Sequence, residues 1–109
     1  VHNGYIYIIT NPNYKGFVKI GITTDIKKRL GSYQTSSPRR DYKIEHHIYH
    51  PDYRIGEKKM HDKLKMFALS RRNEWFEIDL QIAKNMLDSL LIDEENPIEE
   101  IFNKLKNLK

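Results

Sequence analysis

The amino-acid sequence predicts a small α/β domain: a mainly antiparallel sheet of three strands, flanked by helices and extended by further helices towards the C-terminus. Three observations predict it. Two short runs, Tyr5-Ile6-Tyr7-Ile8-Ile9 and Phe17-Val18-Lys19-Ile20-Gly21-Ile22, are aromatic and β-branched, a composition that suits a pleated, half-buried surface. Asn11-Pro12-Asn13-Tyr14-Lys15-Gly16 separates them, with Pro fixing one φ and Gly supplying a positive one, so the two runs form an antiparallel hairpin. Residues 43–50 alternate enough to make a third strand, and apolar residues elsewhere recur at helical spacing.

Period-two alternation puts Ile6 and Ile8 on one face of the first strand and Tyr5 and Tyr7 on the other. In the second strand Val18, Ile20 and Ile22 share one face; Phe17, Lys19 and Gly21 share the opposite one. With the aliphatic sides turned to the core together, Tyr7 and Lys19 fall on the same outer face. Thr24 or Asp25 caps a helix through Ile26, Leu30 and Tyr33. Arg29 and Tyr33, four residues apart, are neighbours on its surface. The stretch 35–40 is a polar, basic loop. Pro51-Asp52 starts a second helix whose apolar stripe is Met60, Leu64 and Phe67. Asn73-Glu74-Trp75-Phe76-Glu77-Ile78 predicts a short strand, with Trp75 and Phe76 as core anchors. Ile82/Ala83, Met86/Leu87 and Leu90/Leu91 mark a third amphipathic helix, and Asp93-Glu94-Glu95 a connector or helix end. Asn96-Pro97 breaks the pattern, and Ile98, Ile101/Phe102, Leu105 and Leu108 mark a final helix. Residues 1–78 therefore read as the core, and 79–109 as amphipathic helices packed on it or extending it.

A chain of 109 residues suits one domain with a modest core. No apolar run approaches the roughly 18 residues that cross a bilayer, and the N-terminus lacks a basic-then-apolar secretory pattern. The expectation is a soluble intracellular protein. With no cysteine, disulfides, thiolate metal sites and cysteine nucleophiles are excluded, so any metal is held by oxygen or imidazole. The net charge of +4 hides an asymmetry: residues 1–75 carry 15 Lys/Arg against 7 Asp/Glu, and residues 76–109 carry 4 against 8. The first part has the footprint of a phosphate-backbone binder.

Several residues are candidates for chemistry. Glu57 lies at the edge of the second helix's apolar stripe, where a carboxylate is costly unless paired or bound to a cation. It either forms a salt bridge with a lysine, sits where the stripe ends, or holds a metal; Mg²⁺ needs only one or two carboxylates beside water and substrate phosphate. Arg29 is either a solvated helix residue or a fork on a phosphate. Tyr7 has a phenol that ordinarily ionises near pH 10; positive charge from Lys19 and Arg29 is expected to lower that value. His61 follows Glu57 by four residues and can share a metal with it. Strand alternation separates His46 from His47, which argues against a zinc site there or with His50. Arg39, Arg40, Lys58, Arg71 and Arg72, with Lys59 and the aromatic Tyr42, Tyr53 and Trp75, form either phosphate contacts or a solvated rim.

The order of these parts resembles the GIY-YIG nuclease superfamily. The first signature reads Tyr5-Ile6-Tyr7, the second Lys19-Ile20-Gly21, and the likeness covers roughly residues 4–78. The run of Glu57, His61, Phe67 and Asn73-Glu74-Trp75-Phe76 is similar to the viral and phage, Orf172-like branch, which carries the label DNA-binding. The resemblance implies a small three-stranded sheet with flanking helices. It also implies Tyr7 as general base or its partner, Arg29 on the phosphate, and Glu57 on one divalent metal, Mg²⁺ or Mn²⁺. Tyr33 falls where members have His or Tyr, and Asn73 near a late asparagine. Two positions depart from the pattern: Tyr5 replaces glycine, and Lys19 replaces the second tyrosine.

The expectation is a metal-dependent DNA endonuclease in which Tyr7, Lys19, Arg29, Tyr33, Glu57 and Asn73 serve catalysis. One site per chain nicks one strand, and cutting both requires a homodimer or two encounters. Two rivals stand beside it. A DNA-binding module without catalysis would use the same basic face. A protein-interaction domain would use the helices at 80–108.

Overall fold

The computed structural model describes residues 2–95. The chain runs β1 (Gly4–Thr10), β2 (Phe17–Thr23), α1 (Ile26–Thr35), β3 (Lys43–His50), α2 (Tyr53–Phe67), β4 (Ser70–Arg72), β5 (Trp75–Glu77) and α3 (Leu80–Glu95). All strand pairs are antiparallel, in the order β3-β1-β2-β5-β4. The sheet has five strands where three were expected: β5 lies within the short strand predicted over 73–78 and joins the sheet, and β4 was not predicted. These two strands are three residues each and pair around Asn73, which takes a positive φ of 56°. A short polar strand such as Ser-Arg-Arg has no alternation to reveal it. The final helix expected beyond Asn96-Pro97 lies outside the described residues.

β1 lies between β2 and β3, and this position explains its composition. Ile6 and Ile8 enter the main core with Val18, Ile20 and Ile48, as alternation predicts. Tyr7 and Ile9, on the opposite face, are buried as well. A strand covered on both sides reads as a continuous apolar run.

Both α2 and α3 pack on the aliphatic face. Asp52 caps α2 by accepting from the N–H groups of Arg54 and Ile55. Gly56, Met60 and Leu64 are the buried residues of α2. A Cβ at Gly56 would collide with Ile6 Cδ1, so glycine lets this helix lie close against β1. The predicted stripe ends one turn early: Phe67 is 61% exposed, because the helix stops there and the partly buried Ala68 turns in instead. In α3, Ala83, Leu87 and Leu90 complete the same core, while Ile82 faces out. Phe76 is fully buried, but its neighbour Trp75 points to the other face and is half-buried, not a core anchor. Adjacent strand residues cannot share a side.

Candidate phosphate-binding site

The outer face of β1 and β2 is organised around one tyrosine. Tyr7 pairs with Gly21 across the two strands, and its ring lies over that glycine. A Cβ at Gly21 would collide with Tyr7 Oη, so the second signature needs glycine for a steric reason. The ring is closed in from above by α1. Asp25, with its side chain accepting from Lys28 N–H, starts that helix and sets its rotation. Tyr33 then reaches down, its Oη 3.0 Å from Tyr7 Oη with the rings edge to face. Tyr42 packs on the far side of Tyr33, at 5.1 Å between centroids. Gln34 holds the returning loop by bonding both the N–H and the carbonyl of Tyr42.

The charged residues surround this pair of phenols. Lys19 Nζ sits 5.3 Å from the centre of the Tyr33 ring and 2.9 Å from Glu74 Oε2. Arg29 is exposed on the first turns of α1, close enough for its guanidinium to act on the Tyr7 phenol. Glu57, next to the tightly packed Gly56, is half-buried and acts on the same phenol with opposite sign. Tyr7, Tyr33, Lys19, Arg29 and Glu57 are thus brought together. Asn73 is exposed on the β4–β5 turn, where its carbonyl accepts from Arg71 Nε at 2.7 Å.

The electrostatics reverse one expectation. Burial pushes the Tyr7 phenol far above its ordinary value, and the hydrogen bond and charge of Tyr33 add to that. Arg29 pulls the other way and loses; Glu57 pushes it up further. Lys19 also ends above its ordinary value: its partial burial alone would lower it, but the hydrogen bond and charge of Glu74, with Tyr33, outweigh that. At neutral pH Tyr7 is a neutral phenol and Lys19 a full cation.

With this geometry the comparison with known families becomes informative. A profile described as the T5orf172 domain matches residues 4–91, most of the chain. The chain belongs to the T5orf172 domain family. No curated protein and no solved structure was found to match it. The T5orf172 match runs from the first residue of β1 into α3, so it takes in every residue of the site just described.

The predicted basic contacts of this T5orf172 domain are dispersed rather than clustered. Arg39 and Arg40 are exposed in the loop after α1, Lys58 is exposed on α2, and Arg72 is exposed on β4. Arg71 is partly committed, lying 5.2 Å over the Phe76 ring as well as bonding Asn73. The histidines go separate ways: His46 meets Asp88 at 2.7 Å, His47 stands edge-on to Tyr5, His50 is buried, and His61 packs on Phe76. Among the described residues no group of three His, Asp or Glu is placed to hold a metal. A hard divalent ion that takes one protein carboxylate and completes its shell from water and phosphate still fits Glu57. No helix among the described residues is long and apolar enough to cross a membrane.

Sequence reasoning missed Glu74. Its role depends on β5 pairing with β2 so that Trp75 lies opposite Lys19, and a cross-strand register of this kind has no local signature. The alternating residues of 73–78 give the only hint, by marking a strand next to a carboxylate.

Proposed function

We propose that this T5orf172 domain binds DNA through its phosphodiester backbone, at the face carrying Lys19, Arg29 and the Tyr7–Tyr33 pair. The observation that supports this most is the grouping of donors: the Tyr7 and Tyr33 hydroxyls meet at 3.0 Å, and Lys19 Nζ lies 5.3 Å from the centre of the Tyr33 ring. The basic balance of residues 1–75 supplies the longer-range attraction. In this reading Arg29 forks onto a phosphate, Lys19 leaves Glu74 to meet a second oxygen, and Tyr7 and Tyr33 orient through their hydroxyls. Arg39, Arg40, Lys58, Arg71 and Arg72 add weaker contacts along the strand.

The test is fluorescence anisotropy of a labelled duplex of about 20 base pairs, titrated at several salt concentrations. Wild type should bind with a steep salt dependence, and Arg29→Ala should reduce the slope by about 0.9 per lost phosphate contact. Absence of binding at low salt would overturn the reading.

A second reading, metal-dependent nicking of DNA, is favoured by one observation: Glu57 and Arg29 each stand within electrostatic reach of Tyr7. Glu57 would hold Mg²⁺ or Mn²⁺, and the ion when bound would stabilise charge on the phosphate and the departing oxygen. Tyr7 and Lys19 would then orient the attacking water rather than deprotonate it. Supercoiled plasmid incubated with Mg²⁺ or Mn²⁺ separates the two readings. Open circles that vanish with Glu57→Ala establish nicking, linear product would point to two copies acting together, and binding without nicking leaves the first reading alone.

A further inference from the structure

Beyond the phosphate site, the same sheet face carries a second feature. Arg72 on β4, Trp75 on β5 and Lys19 on β2 are successive cross-strand partners, so their side chains form one row on one face. Beside the central member of that row, the β1–β2 turn raises Tyr14 against the indole, with centroids 5.2 Å apart and the planes inclined by 55°. A groove of about 450 Å³ opens between this turn and the β4–β5 hairpin. Tyr14, Trp75 and Phe17 line it with rings; Lys15 and Arg72 line it with charge. Asn13 and Asn73 supply amide groups, and among the described residues no carboxylate lines it.

We infer that this groove holds an unpaired nucleobase of a DNA strand, stacked on the Tyr14 ring and edged by the Trp75 indole, with the flanking phosphates on Lys15 and Arg72. Three features of the groove support that occupant. A base in a duplex has both faces covered by its neighbours, so aromatic side chains reach only bases that are unstacked. The lining is positive, which matches a phosphate backbone and repels a cationic peptide. The row also continues to Lys19, so a strand leaving the groove meets the phosphate site within the same sheet. The inference rests on the DNA-binding reading above and narrows it to single-stranded or locally opened DNA.

Trp75 is the one tryptophan of the chain, so its emission reports the groove directly. The experiment titrates wild type and Tyr14→Ala with a (dT)12 strand and, separately, with a blunt duplex, following tryptophan emission and the anisotropy of a labelled end together. Tyr14 is 48% exposed, and its removal leaves the core intact. The expected result is saturable quenching of Trp75 by the single strand, roughly 5- to 150-fold weaker single-strand binding in Tyr14→Ala, and duplex binding changed by less than about twofold, since backbone contacts are retained. Lys15→Ala should weaken single-strand binding while keeping the quenching at saturation. Single-strand binding with unchanged Trp75 emission and wild-type affinity in Tyr14→Ala would overturn the groove and leave the DNA-binding reading standing. Failure to bind either DNA would overturn both.

Discussion

The two faces of this sheet are built from the same strands and follow opposite rules. The face under α2 and α3 is aliphatic, closed and continuous, from Ile6, Ile8, Val18 and Ile20 to Met60, Leu64 and Leu87. The face under α1 has one fully buried ring, Tyr7, resting on a glycine, then a cation, then a half-exposed indole. Neither helix nor core closes it completely; α1 contributes no fully buried residue. The first face supplies stability, and the second presents polar groups on a rigid support. Mutations should therefore separate cleanly, with stability lost on one side and ligand binding on the other.

The largest expected effect is on the aliphatic face. Leu64→Ala removes a fully buried side chain and should cost about 2–5 kcal/mol, read from chemical denaturation. The variant's DNA affinity should be unchanged under conditions where it remains folded. A large loss of affinity at constant fold would break the separation between the faces.

Gly21→Ala tests the other face at its tightest point. The added methyl must displace the Tyr7 ring, and overpacking of this kind costs about 1–3 kcal/mol. Unlike Leu64→Ala, it should also weaken DNA binding, because Tyr7 carries Tyr33 with it through their shared hydrogen bond. Tyr33→Phe is the milder version. It removes that one bond, worth about 0.5–1.5 kcal/mol, and with it part of what holds the Tyr7 phenol protonated. Ultraviolet titration should find Tyr7 ionising at lower pH in Tyr33→Phe than in wild type. Because the folded-state value is raised, Tyr7's contribution to stability is present below 10.0 and is lost as pH rises above it.

The two faces also differ in how far they could be read from the sequence. Local signals were enough for the aliphatic one: the Asn11–Gly16 turn, the alternation of β1 and β2, and Asp52 before α2 are short-range features. Phe67 failed because where a helix passes the edge of its sheet is a tertiary fact. The outer face was legible in its residue types but not in its pairings. Tyr7, Lys19, Arg29, Tyr33 and Glu57 could be nominated from spacing and resemblance. That Tyr7 would be buried, so that desolvation beats Arg29, depended on α1 and the Tyr42 loop folding over it. That Lys19 would be tied to Glu74, and Trp75 to Tyr14, depended on a hairpin of two three-residue strands.

Glu74 gives the smallest effect on stability and the sharpest test of what the outer face is for. Lys19 holds its carboxyl below the ordinary range, mainly through their hydrogen bond. A depressed carboxyl stabilises the fold above its ordinary value of 4.5, and that contribution is lost as pH falls through the folded-state value. Lys19 has the opposite sign: its contribution is complete below 10.5 and is lost as pH rises through its raised value. The pair therefore adds a flat increment across neutral pH, and Glu74→Gln should remove both flanks of it. Because Glu74 is mostly exposed, the increment is only about 0.2–1 kcal/mol. The effect on ligand binding should run the other way. A carboxylate 2.9 Å from Lys19 occupies the position a phosphate oxygen would take, so the two compete. Glu74→Gln should tighten DNA binding by roughly 2- to 10-fold at low salt, with the gain fading as salt screens it. A variant that loses both stability and affinity would mean that the ion pair only braces the hairpin, and that Lys19 does not meet the phosphate.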